Sequence, residues 1–532
     1  MNKFRFLALL FSCAVLFGCT EEDPVIEPET PETPEEPAVP DTPDEPETPE
    51  EPSATTAQIS LCNTLGTPVK GLANDGAAVL QIAISSSNPA TQITITAEQE
   101  WGLLSMNADG SDGDISIEDT DPTLSAEVYT YYLCSSEELL ETLTTGAIAE
   151  LNFTANITTE VDELSLPFTV EVVRSALVLA HGLASNAATF TPTLNYITPM
   201  GLFIDEALYA LNYQNTSLAS YNTNLNVIPD AIDHTKEAML LAGYINEKVT
   251  IAGHSMGGIL TRLYLQGETY RNDILKFISI DSPHSGSQLA DFAVEIADYH
   301  PDCPLAIVGK FGAIIDLQVD SDATLNELNG ENLNKEVVAT HLLTATFSNT
   351  LDILNLITEE QYFEAIVTFV LDKISRELLY HEDNDIVVPL SSQQGGIKNG
   401  LTKSYITNYD GVWHCTVYTT QDAANDIVEL CNTLSTDSKT FTMDGFEPPV
   451  LSYTRSELLA GFTQSSLSVS QMAASSAYQG KMAIHLDADG DIVGVDYVEG
   501  SDALELSLSD EIFSTRIMGY DATENTFYYV SE

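Results

Sequence analysis

Lys248-Val249-Thr250-Ile251-Ala252-Gly253-His254-Ser255-Met256-Gly257-Gly258-Ile259-Leu260 is the stretch on which the reading of this chain turns. A short β-branched, apolar run leads into a serine bracketed by glycines, and an apolar helical pattern leads out of it. The pattern G-x-S-x-G at a strand-to-helix junction places the serine in a strained turn where neighbouring side chains would collide, so glycine is needed on both sides. The turn lifts the hydroxyl clear of the sheet. The next N–H lies at a helix N-terminus, where developing negative charge is favoured. The pentapeptide alone is common, and its flanks carry the weight.

Outward from this turn, Ala176-Leu177-Val178-Leu179-Ala180, Leu275–Ile280 and Val337–Thr346 read as further buried strands. Helical patterns fall between them over Val227–Ala242, Ile259–Gly267, Ser287–Ala297 and Leu354–Leu379. Alternating strands and helices predict an α/β domain with a mostly parallel sheet covered on both faces. Functional side chains are then expected at the carboxyl ends of the strands.

A serine hydroxyl needs a base, and behind such an elbow the partners follow in the order Ser, acid, His. His414, in the loop Asp410-Gly411-Val412-Trp413-His414, and His485, in a C-terminal strand pattern, are the histidines far enough along. The loop position before the helix Thr416–Leu430 selects His414. For the acid, Asp385 directly precedes Ile386-Val387-Val388-Pro389, with Asp383 as the alternative. A carboxylate there can accept the histidine Nδ1–H and leave Nε2 facing the serine.

With these residues in place, the segment from Ser175 to about Ser435 resembles an α/β-hydrolase of the bacterial lipase and esterase kind, close to the GPI-inositol-deacylase-like lipases. Val178-Leu179-Ala180-His181-Gly182-Leu183 resembles the family's oxyanion strand and loop. Ile280-Asp281-Ser282-Pro283-His284-Ser285-Gly286-Ser287 resembles its T-P-H-x-G-S segment. Asn384-Asp385-Ile386-Val387-Val388-Pro389 resembles its N-D-G-x-V-P acid loop, with Ile386 where glycine is usual. The resemblance implies a Ser255 nucleophile, a His414 base, an Asp385 acid and an oxyanion hole of the Leu183 and Met256 N–H groups. His181, His254 and His284 are then supports. The implied reaction is hydrolysis of carboxylic esters, by a lipase or esterase, with no cofactor and no metal. Acyl transfer or phospholipase action by the same triad, and a non-catalytic surface adhesin, are the competing readings. Glycines among apolar residues at Ala306–Ile315 fit either a cap that opens onto lipid or an ordinary packed helix.

The rest of the chain sets location and organisation. Its 532 residues carry 80 acidic and 19 basic side chains, a formal net charge of −61. That charge argues against nucleic-acid partners, since little could neutralise phosphates. Residues 1–18 read as a signal peptide with Lys3 and Arg5 ahead of an apolar run. Leu16-Phe17-Gly18-Cys19 resembles a bacterial lipobox, which implies lipidation at Cys19 and a membrane partner, with Thr20 favouring the outer membrane. Between Pro28 and Pro52 a proline recurs at every third position among acidic residues. Polyproline II would extend such a tether roughly 75 Å. We therefore expect a tether over 19–55, an all-β Ig-like sandwich over 56–174, the catalytic domain over 175–436 and a β-rich segment over 437–532. Outside the cytoplasm, Cys62 with Cys134 and Cys415 with Cys431 are the expected disulfides.

Overall fold

The structure, a computed structural model, describes residues 54–107, 110–122, 126–330, 338–347, 382–395, 406–433, 455–490, 492–507, 509–521, 523–524 and 526–531. The leader, Cys19, nearly all of the proline-rich tether and the helix expected over Leu354–Leu379 lie outside these residues. No helix among the described residues is long and apolar enough to cross a membrane.

A parallel sheet forms the centre of the chain. Its strands are β1 (Leu177–Ala180), β2 (Leu208–Ala210), β3 (Val249–His254), β4 (Ile274–Ile280), β5 (Ala339–Thr346) and β6 (Ile406–Asp410). They lie in the order β2-β1-β3-β4-β5-β6, every neighbouring pair parallel. Helices α1 (Val227–Leu241), α2 (Met256–Gln266), α3 (Gln288–Tyr299) and α4 (Gln421–Cys431) follow successive strands or precede the next. Strands β1, β3 and β5 are buried along their whole length, as a sheet covered on both faces requires. This is the α/β-hydrolase arrangement, and it brings the strand ends carrying Ser255, Asp281 and the loops after β5 and β6 to one edge.

The N-terminal region is two sheets around one core. Ala57–Cys62, Val79–Ser86, Ala126–Leu133 and Gly102–Ser105 form an antiparallel four-stranded sheet. The facing sheet runs Tyr244–Ile245, Gly71–Asn74, Glu163–Arg174, Ile148–Thr159, Ala90–Ala97 and Ser116–Asp119. Alternate residues point inward: Leu80, Ile82 and Ile84 from one sheet meet Ile95, Leu151 and Phe153 from the other.

The first strand of that second sheet lies in the segment that otherwise builds the parallel α/β region. Tyr244–Ile245 pairs in parallel with Gly71–Asn74, only a few residues before β3 begins. Asp75 completes the junction. One of its carboxylate oxygens accepts the N–H groups of Ala77 and Ala78 at 2.8 and 2.7 Å; the other accepts those of Lys248, at 3.0 Å, and Glu247. Burial raises its pKa while these bonds pull the other way. Arg174 ties the same junction by donating to Asn432 Oδ1 and to the carbonyls of Leu143, Gly146 and Leu202.

At the other end, a five-stranded sheet of Phe462–Gln464, Thr526–Ser531, Ser514–Asp521, Gly480–Leu486 and Ile492–Glu499 packs on the core of the parallel α/β region. Phe462 meets Phe292 of α3, and the Tyr529 hydroxyl lies 2.9 Å from His300 Nδ1. His485 sits in a strand, as its alternation predicts, between Thr515 and Asp496.

The expected disulfides need correction, and one of the two readings of Ala306–Ile315 is selected. Neither expected disulfide is formed. Val79–Ser86 runs between the strand that ends in Cys62 and the strand that precedes Cys134. Two strand spacings are about 10 Å, beyond the roughly 7 Å that a disulfide's Cα atoms can span. Cys415 lies in the base loop, while Cys431 ends α4, a helix of 11 residues and so about 16 Å long. The stretch Ala306–Ile315 is packed: Ala306, Val308, Ala313 and Ile314 are buried, and a Cβ at Gly309 would fall 2.1 Å from the Ala293 carbonyl oxygen.

The Asp75 junction makes a direct prediction. Asp75→Ala leaves four backbone N–H groups without their acceptor and is expected to cost about 3 kcal/mol. Urea denaturation followed by tryptophan fluorescence reads that loss. A change below about 0.5 kcal/mol would show that water replaces the carboxylate at no cost.

Candidate active site

The turn after β3 sets the site. Ser255 has φ +52 and ψ −122, a conformation that L-residues rarely adopt. Its N–H donates to the Ile280 carbonyl at 2.9 Å, and its own carbonyl accepts from Gly258 at 3.1 Å. The glycines are steric necessities. A Cβ at Gly257 would lie 2.3 Å from the Ala180 carbonyl oxygen, and one at Gly253 would lie 2.7 Å from Gly258. Met256 is the first residue of α2, so its N–H has no intrahelical acceptor.

His414 and Asp385 come to this serine from separate loops. His414 Nδ1 donates to Asp385 Oδ2 at 2.7 Å, and the Ser255 hydroxyl donates to His414 Nε2 at 2.9 Å. All three are buried; Ser255 keeps 6% exposure and the other two have none. The other oxygen of Asp385 accepts the N–H groups of Val387 and Val388 at 2.9 and 2.6 Å. Those bonds fix the carboxylate's orientation before the histidine arrives. The alternative acid, Asp383, is exposed and uses its backbone carbonyl to accept from Leu390.

The quoted segment after β4 braces the acid loop. Ser285 N–H donates to Ser392 Oγ at 3.0 Å, Ser392 Oγ donates to the Gly286 carbonyl, and Ser287 Oγ donates to the Val387 carbonyl at 2.6 Å. Gln393 clamps the same loop to β5, accepting from Ala345 N–H at 2.8 Å and donating to the Ala345 and Val388 carbonyls. His284 is fully buried with Nε2 2.8 Å from Ser279 Oγ, and burial drives its pKa well down. Its role is to hold this brace.

The other two histidines are supports as well. His181 Nε2 accepts the Tyr213 N–H at 3.1 Å, so its proton sits on Nδ1 facing the Gly182 carbonyl. Burial lowers its pKa to about 4. His254 Nε2 donates to the His414 carbonyl at 3.0 Å and its ring packs on His414 and Tyr418. Burial, then the neighbouring His414, holds it neutral. The loop His181-Gly182-Leu183 lies hard against the serine: a Cβ at Gly182 would sit 2.9 Å from Ser255 Cβ.

The Ile386 substitution has a physical explanation. The residue stands at φ +82, where glycine is the natural occupant, and its side chain is buried at 1% exposure. The backbone strain is about 1–2 kcal/mol, and truncating a buried isoleucine costs about 2–5 kcal/mol. Packing therefore outweighs strain.

A family model described as PGAP1-like alpha/beta domain matches residues 204–299, a span that includes the Ser255 turn and stops short of the acid and base loops. No curated protein matches the chain. Among solved structures, the mature lipase BlEst2 of Bacillus licheniformis is similar at 18% identity, with 49% of this chain and 92% of that one covered and a TM-score of 0.33. Phospholipase PlaB from Legionella pneumophila is similar at 15% identity over 41% of this chain and 44% of that one, with a TM-score of 0.29. The metagenomic carboxyl esterase MGS0156 is similar at 14% identity over 49% and 78%, with a TM-score of 0.32.

Reading the sequence assigned no role to Asp281, although it directly follows β4 at the functional edge. Its position at a strand end was the available signal.

Two outcomes are expected at this level. Ile386→Gly lowers stability by about 2 kcal/mol in urea denaturation, because lost packing exceeds relieved strain; a gain in stability would reverse that ordering. Gly257→Ala forces backbone apart at Ala180 and is expected to leave less than about 1% of Ser255 labelling by a fluorophosphonate probe.

Proposed function

We propose that this chain is a serine hydrolase of carboxylic esters, a lipase or esterase held at a bacterial membrane. The observation that carries the reading is the pair of hydrogen bonds, 2.7 and 2.9 Å long, that links Asp385 through His414 to Ser255. The likeness of residues 204–299 to the PGAP1-like alpha/beta domain supports it independently of that geometry.

In this mechanism Ser255 Oγ attacks the ester carbonyl carbon while His414 Nε2 takes its proton. Asp385 holds the imidazole in the productive tautomer and stabilises the imidazolium. The oxyanion of the tetrahedral intermediate accepts from the Leu183 and Met256 N–H groups; one such donor is worth about 3–4 kcal/mol. His414 then protonates the leaving alkoxide, and the acyl group remains on Ser255. Water, activated by the same histidine, repeats the sequence and releases the acid. No cofactor or metal enters these steps.

The leader and tether supply the location. Cleavage before Cys19 and lipidation of its thiol would anchor the chain in the outer membrane, with the acidic proline-rich segment as spacer and an Ig-like sandwich between spacer and catalytic domain. Esters of lipid-like acids are then the substrates within reach.

Ser255→Ala is expected to abolish hydrolysis of p-nitrophenyl esters while preserving the thermal melt; retained activity would overturn the assignment. An ester series of increasing chain length, assayed below and above the micelle threshold, reads the lipase character. Cys19→Ala should move the protein from the membrane fraction to the soluble fraction, and unchanged fractionation would remove the lipid anchor from the reading.

A further inference from the structure

Asp281 is a second carboxyl group in the catalytic centre. It follows β4 at the edge of the sheet that carries Ser255, its N–H donates to the Leu343 carbonyl at 2.9 Å, and its side chain is buried. Neither carboxylate oxygen has a hydrogen-bond partner. The Ala345 N–H, which faces it, is engaged by Gln393 Oε1 at 2.8 Å. A ring nitrogen of His414, a ring nitrogen of His254 and an oxygen of Asp281 all lie within 4.8 Å of one another. A small side-chain rotation or one bridging water spans that gap.

The backbone sets this residue apart too. Five non-glycine residues among those described have positive φ, and Ala184, Ser255, Asp281 and Ile386 all lie in the loops of this site. Asp281 stands at φ +48. Strain of this kind persists where surrounding structure over-determines it. An unpaired buried carboxyl costs about 1–3 kcal/mol that an apolar residue would not, so packing alone gives no reason for aspartate here.

Two adjacent buried carboxyl groups cannot both ionise readily. Asp385 collects two backbone N–H bonds and the His414 Nδ1–H, whereas Asp281 faces only the Ala345 N–H, which Gln393 already engages. Burial, then the charge of Asp385, holds the Asp281 carboxyl well above the ordinary carboxylate range. The groups that face it are His254 on β3, His414, Asp385, and Tyr409 on β6.

We propose that Asp281 is a reserve positioning acid for His414, able to accept the Nδ1–H and hold the imidazole for Ser255 when Asp385 is removed. This role rests on the ester-hydrolase reading. No covalent bond changes: Asp281 releases its proton to solvent, and the resulting carboxylate accepts the Nδ1–H that Asp385 accepted. Loss of Asp385 favours that release, because it removes the neighbouring negative charge.

The test is kcat for p-nitrophenyl butyrate in Asp385→Ala and in Asp385→Ala/Asp281→Asn. Alanine is used at 385 because an asparagine amide would present the wrong group to Nδ1. The single variant is expected to lose about 10²-fold, against the roughly 10⁴-fold typical when a triad's acid is disabled. The double variant is expected to lose about 10²-fold more, approaching the residue left by the oxyanion hole and binding. With pH, the single variant gains activity through an ionisation of Asp281 that the double variant lacks. Equal kcat and equal pH profiles in the two variants would overturn the proposal. If the double variant does not fold, the single variant decides alone, since a loss of about 10⁴-fold leaves Asp281 no role. Ester hydrolysis that survives Ser255→Ala would instead overturn the hydrolase reading itself.

Discussion

The closest backbone approach in the site is between α2 and the end of β1. At Gly257 a single methyl group would be driven to within 2.3 Å of the Ala180 carbonyl oxygen and 2.6 Å of the His181 carbonyl oxygen. Because that group is missing, the helix begins directly over the sheet edge, with the His181-Gly182 loop hard against Ser255. A Cβ at Gly258 would fall 1.9 Å from Ser282 Oγ, so the same closeness holds toward β4. The serine's positive φ is a consequence of turning the chain in so little space. Everything that makes Ser255 reachable depends on backbone packed too tightly for side chains.

Strain at this edge is matched by bracing. Two of the strained positions, Ser255 and Asp281, are held by backbone bonds to the neighbouring strand, and Ile386 by a bond within its own loop. Ser255 donates to Ile280, Asp281 donates to Leu343, and the Ile386 N–H donates to Asn384 Oδ1 at 2.9 Å. The acid loop alone is fastened by Ser287, Ser392 and Gln393 to two other segments. Such cross-links fix Asp385 before His414 meets it, which is the preorganisation that a hydrogen-bonded triad needs. The segment resembling T-P-H-x-G-S therefore acts on the serine both directly, through the Ile280 carbonyl, and through the acid loop.

Much of this was legible in the sequence because it lies in local pattern. The run Val249–Ala252 followed by Gly253 and Gly257 announces a strand, a turn and a helix. Chain order then leaves few histidines, and the loop position of His414 distinguishes it from His485. What stayed hidden depends on long-range neighbours. Tyr244–Ile245 is too short to show a period, so its addition to the N-terminal sheet cannot be read from it. The cysteine pairing failed because membership of one domain says nothing about which strand lies between two residues. Asp281 was quoted as part of a motif, yet only the fold shows that Asp385 arrives beside it from more than a hundred residues along the chain.

The junction between the first two regions bears on the site in a way that a simple spacer would not. Gly243 accepts the N–H groups of Lys70 and Gly71 at 2.7 and 3.3 Å, Tyr244–Ile245 joins the sandwich sheet, and Asp75 holds Glu247 and Lys248. Val249 then starts the strand that ends one residue before Ser255. The sandwich thus grips the root of the strand that leads to Ser255, and part of its buried surface is shared with the α/β region. Separation of the two would expose Ile245, Val173 and the Asp75 carboxylate together and would free the entry to β3. A region attached at this point is a structural part of the α/β unit, and its orientation toward the edge that carries Ser255 is set by hydrogen bonds rather than by a linker.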